Sequence, residues 1–104
     1  MDSETFHTAA RVGEIAEGRG KPCAVEGRSI AVILDGGTYY AIDAACPHKG
    51  APLCDGLVFD GSVICARHGW RFSLADGRRL DGLRHRVETY AVRVIGDEIQ
   101  VSVR

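Results

Sequence analysis

The chain has 104 residues, of which 45% are hydrophobic and 26% charged, with a formal net charge of −1. That composition is ordinary for one globular domain with a modest core, and the charge gives no reason to expect nucleic acid or a membrane surface as partner. The longest aliphatic run, Ile30 to Leu34, is far too short to span a bilayer.

Met1 to Phe6 has neither a basic nor an apolar segment of the kind a secretory signal carries, so the expected setting is a reducing cytoplasm. There, cysteines are expected as ligands rather than as disulfide partners. The first local feature is a single helical turn expected around Ala10–Ala16, where Val12 and Ile15 stand three apart. Strand patterns follow at Lys21–Glu26, Arg28–Leu34 and Thr38–Ile42. They form a meander turning at Glu26-Gly27 and at Asp35-Gly36-Gly37, the second being the stronger hairpin signal. Ser62–Ile64, Trp70–Ser73 and Arg78–Leu80 read as short strands, and a last hairpin joins Val87–Ile95 to Glu98–Val103 through Gly96-Asp97. The fold class is therefore all-β, a small antiparallel sandwich or barrel. There is no internal repeat and no linker, so residues 1–104 are expected to form a single domain.

The chemistry is concentrated between Cys46 and His68. Cys46-Pro47-His48 is followed after sixteen residues by Cys65-Ala66-Arg67-His68. Structural zinc sites usually pair like ligands, two cysteines together and two histidines together. Here each pair is mixed. That arrangement suits two irons, one held by the thiolates and the other by neutral imidazoles, as in a Rieske [2Fe-2S] centre. A zinc-stabilised interaction module remains as a remote alternative.

Cys46-Pro-His48-Lys-Gly-Ala-Pro-Leu53 with Cys65-Ala-Arg-His68-Gly-Trp70 closely resembles the small bacterial Rieske-type ferredoxins, from about Phe6 to Val103. The resemblance implies that Cys46 and Cys65 bind an inner iron while His48 and His68 bind an outer one near the surface. It also implies a base of antiparallel sheets with a cluster-binding subdomain, about residues 44–80, inserted between strands. Gly50 and Gly69, just past each histidine, permit the tight backbone paths such loops need. Relatives in respiratory and photosynthetic complexes carry a disulfide between the two loops; the matching positions here are Ala51 and Arg67, so no such bridge can form. Relatives commonly have Pro where this chain has Ala66.

The function so implied is one-electron transfer, from an NAD(P)H-dependent flavoprotein reductase to a terminal oxygenase. The alternative is the small subunit of an assimilatory NAD(P)H nitrite reductase, which Gly50–Leu53 and Val87–Val94 also resemble. Neither role needs catalytic residues of this chain, and a monomer is expected. Cys23, Cys54, His7 and His85 lie outside the ligand pattern and read as ordinary core or surface residues, and Trp70 should pack against a cluster loop. Six arginines (67, 71, 78, 79, 84 and 86) face only Asp76 and Asp81 between Cys65 and Arg86. They are either a solvated face of mixed charge or a basic rim beside the histidines. In high-potential relatives a serine and a tyrosine, two and four residues beyond the second histidine, donate hydrogen bonds to cluster sulfurs; Trp70 and Phe72 occupy those positions here. A low potential is the expected consequence.

Overall fold

The computed structural model describes residues 5–47, 49–67, 69–82 and 84–103. Nine strands form among the described residues, in chain order: β1 (His7–Arg11), β2 (Arg19–Val25), β3 (Arg28–Asp35), β4 (Thr38–Asp43), β5 (Leu57–Phe59), β6 (Ser62–Ile64), β7 (Arg71–Ser73), β8 (Thr89–Ile95) and β9 (Glu98–Ser102). Every pairing between them is antiparallel. Six make a base of order β1-β9-β8-β4-β3-β2, and the other three make a small sheet, β5-β6-β7, in the connection from β4 to β8.

The base curls until its two edge strands approach one another. Across that seam His7 Nε2 lies 3.1 Å from Glu26 Oε2 in the β2–β3 turn. A bulge at Ala9 on β1 adds to the local twist. The curl explains why Ile30 to Leu34 of β3 are apolar without a break. Ile30 and Val32 point into the base with Val25, Ala41, Ile99 and Val101, whereas Ala31 and Ile33 point outward against the small sheet. A strand buried on both faces has no polar face to display. The outer core joins Ile33 and Ile42 of the base to Leu53, Val58, Val63, Phe72 and Leu74 of the insertion. Each large side chain buried there contributes about 1.5–3 kcal/mol relative to exposure. The sheets are also tied at their ends, where the Gly61 N–H donates to Asp35 Oδ2 at 2.7 Å.

Three hairpins turn on two consecutive residues with positive φ: Glu26-Gly27 (50° and 79°), Gly36-Gly37 (62° and 81°) and Asp60-Gly61 (54° and 73°). This is the type I′ form, whose twist matches the strands it joins. The meander and the β8–β9 hairpin therefore stand close to where the sequence places them. Two expectations fail. No helical turn forms over Ala10–Ala16: Ala10 and Arg11 belong to β1, and Gly13 at φ +101° carries the chain away from helical geometry. Arg78–Leu80 is not a strand but makes only isolated bridges, Phe72 to Arg79 and Arg78 to Arg86.

The return from the insertion to β8 depends on Gly77. Its φ is +77°, and a Cβ there would run into the Val87 carbonyl oxygen. The Gly77 carbonyl also accepts the Val87 N–H at 2.9 Å, so the two backbones cannot separate without losing that bond. Gly77→Ala should therefore destabilise the fold by about 2–4 kcal/mol. Thermal unfolding checks this, and an unchanged Tm would show that the strand–loop contact is not needed.

Candidate metal centre

Two turns carry the predicted ligands, and they are copies of one another. In the first, the Cys46 N–H donates to the Ala51 carbonyl at 2.8 Å, and the Gly50 N–H donates to the Cys46 carbonyl at 2.8 Å. In the second, the Cys65 N–H donates to the Trp70 carbonyl at 2.7 Å, and the Gly69 N–H donates to the Cys65 carbonyl at 2.9 Å. Gly50 and Gly69 have matching φ of +76° and +74° with nothing near an added Cβ, so it is the backbone conformation that favours glycine. A side chain there would cost about 1–2 kcal/mol.

Each turn is anchored at its base. Leu53 N–H donates to the Ala44 carbonyl at 2.7 Å and Ala44 N–H to the Ser29 carbonyl at 3.0 Å, which fixes the first turn to β3. The second runs directly from β6 into β7, and Leu80 N–H closes on the Arg71 carbonyl at 2.7 Å.

Cys46 and Cys65 are each 1% exposed and share the outer core with Phe72, Leu53 and Ala51. Neither is in a disulfide. His48 and His68 lie outside the described residues. Two buried cysteines presented by duplicated, glycine-closed turns are a donor set that fits an iron–sulfur centre. Such a centre takes thiolate sulfur at its inner side.

The other cysteines are different. Cys23 is half-buried on β2 against the interior of the base. Cys54, in a single 3₁₀ turn over Leu53–Asp55, is half-buried against the outer core. Burial is the main cause that pushes both thiols up from their ordinary value, so neither is a ready thiolate.

Trp70 packs at the edge of the outer core. The Arg79 guanidinium lies 3.6 Å from its ring centroid, and the His85 ring lies 4.9 Å away. Arg79 is itself held by Asp81, Nε to Oδ1 at 2.9 Å, and that hydrogen bond lowers the Asp81 carboxyl below its usual range. Asp81 also accepts the Arg71 N–H at 3.1 Å. The stack was not readable from sequence, because its members come from a strand end and an irregular loop with no shared period. His7 stands at the base seam. A separate open cleft of 440 Å³, where β4 and β8 splay apart, is lined by Tyr39, Tyr40, Leu74, Tyr90 and Val92 among others, with no histidine or cysteine.

Residues 5–100 match the Rieske [2Fe-2S] domain family. The chain belongs to that family. Membership selects iron–sulfur over zinc and gives the centre its cofactor, a Rieske-type [2Fe-2S] cluster. The chain is 29% identical over 102 residues to the ferredoxin component of the naphthalene 1,2-dioxygenase system of Pseudomonas aeruginosa, covering 97% of this Rieske chain and 98% of that protein. The ferredoxin of carbazole 1,9a-dioxygenase from Nocardioides aromaticivorans superposes with a TM-score of 0.87 at 29% identity, over 96% of this chain and 99% of that one. A protein of Mycobacterium tuberculosis assigned as an NADH-dependent nitrite reductase small subunit superposes with a TM-score of 0.91 at 30% identity, over 99% and 98%. The all-β Rieske fold that the resemblance implied is the fold these relatives share. No helix among the described residues is long and apolar enough to cross a membrane.

Proposed function

We propose that this protein is a one-electron carrier, a ferredoxin that receives electrons from an NAD(P)H-dependent flavoprotein reductase and delivers them to a terminal oxygenase. The observation that carries this reading is the end-to-end match to a ferredoxin component of a dioxygenase system, 97% of one chain against 98% of the other. Cys46 and Cys65 would hold the inner iron and His48 and His68 the outer iron. When bound, the cluster supplies a site that gains and loses a single electron.

The chain's own residues do the rest. The outer core around Phe72 and Leu53 keeps water from the cysteine side, and the duplicated turns fix where both cysteines stand. Residues 1–104 act as one domain, as a monomer in the cytoplasm. The superposition on the nitrite reductase small subunit favours a second reading, in which the electron goes to a large nitrite-reducing subunit. Mixing the reduced protein with each acceptor separates them. Rapid reoxidation by a ring-hydroxylating oxygenase component is expected, and reoxidation by the nitrite reductase subunit alone would favour the second reading.

A further inference from the structure

Lys49 stands three residues beyond Cys46, and Arg67 two beyond Cys65, so each duplicated turn carries one cation beside its histidine. Both are exposed, and neither is paired with a carboxylate among the described residues. The turns themselves, 46–51 and 65–70, contain no Asp or Glu.

Most of the neighbouring arginines are already engaged. Arg78 Nε lies 3.7 Å from Asp76 Oδ2, and Arg79 is held by Asp81 and laid over Trp70. Arg86 donates to the Asp76 carbonyl at 2.8 Å. Arg71 donates to Ser62 Oγ at 2.9 Å, with its guanidinium 5.1 Å from the Phe59 ring centroid. Arg84 is exposed and has no partner among the described residues. It precedes His85, whose ring lies against Trp70. The basic stretch seen in the sequence thus separates into four engaged arginines and two unengaged ones, Arg67 in the second turn and Arg84 just before His85.

We infer that Lys49 and Arg67, with Arg84 beside them, form a basic docking face that seats an acidic patch of the protein with which electrons are exchanged. This rests on the electron-carrier reading above. Charge balance selects a protein patch over a longer polyanion. The net charge is −1, and residues 1–63 hold nine acids against five bases, so nucleic acid or an anionic bilayer would meet repulsion beyond the turns. Screening over about 8 Å at physiological salt confines the attraction to the face itself.

Trp70 is the sole tryptophan and belongs to the second turn, so it reports the local potential without any electron transfer. The ratio of iodide to caesium quenching of its fluorescence, referenced to neutral acrylamide, should fall by about threefold or more in Lys49→Glu/Arg67→Glu. Arg11→Glu/Arg93→Glu, on β1 and β8, makes the same change in net charge and should leave the ratio near wild type. In the iron-loaded, reduced protein, one-electron oxidation by ferricyanide, itself reduced to ferrocyanide, should slow as salt rises. The Lys49/Arg67 variant should lose that dependence. An iron-loaded protein whose quenching ignores the Lys49/Arg67 change, or follows the control equally, would overturn the docking face alone. A protein without iron would overturn the carrier reading and the partner with it. Co-sedimentation with anionic phospholipid vesicles, lost in the same variant, would overturn the choice of a protein partner.

Discussion

Replacing Cys46 or Cys65 with serine should abolish the cluster, and non-ligating replacements of His48 or His68 should abolish its Rieske spectral signature. Cys23→Ser and Cys54→Ser should leave iron content and spectrum intact. The contrast follows from placement. Cys46 and Cys65 are buried at the start of duplicated turns in one core, whereas Cys23 faces the interior of the base and Cys54 lies on a separate 3₁₀ turn. Because cluster binding is coupled to folding, the ligand variants should also lose thermal stability. Iron analysis and circular dichroism on the same preparations check both effects. Loss of the cluster in Cys54→Ser with retention in Cys46→Ser would reverse the assignment.

The second large effect is on potential. Rieske centres span about −150 to +300 mV, and hydrogen bonds to the sulfurs help set the value. Donors stabilise the reduced state by offsetting its added negative charge. Phe72 is fully buried in the same core as Cys46 and Cys65, and its side chain has no hydrogen-bond donor. Trp70 occupies the other donor position, with Arg79 and His85 both against its ring. The midpoint should therefore lie below zero, toward the lower end of the range, suited to reduction by a flavoprotein. Phe72→Tyr should raise it. A hydrogen bond to a charged group is worth about 1.5–3 kcal/mol, which for one electron sets a ceiling of about 65–130 mV on the gain. Voltammetry at neutral pH decides: a wild-type midpoint above about +100 mV contradicts the argument.

How far the sequence could be read depended on whether a feature was local. The β3–β4 hairpin was legible because Gly36-Gly37 supplies both positive φ values of its turn. The two cysteine-bearing loops stood out because the spacing of Cys46, His48, Cys65 and His68 is a local pattern. By contrast β1, His7-Thr-Ala-Ala-Arg11, has weak strand character and buries only Ala10. It is a strand because β9, some ninety residues away, offers it an edge. Val12 and Ile15 suggested a helical face, but Val12 is 48% exposed and Ile15 only 5%, so they do not share one. β5 was missed because Leu57 and Phe59 are exposed and only Val58 is buried. The arginine stretch was visible as charge, but which of its members were engaged depended on Asp76, Asp81, Ser62 and Trp70 meeting them in space.

Iron and acid-labile sulfide analysis of the purified protein, with an EPR spectrum after reduction, tests the central claim most directly. A brown protein with a pair of irons and a pair of sulfides per chain, giving a Rieske-type signal on reduction by one electron, is the predicted result. A colourless protein holding zinc on the same four residues would contradict it.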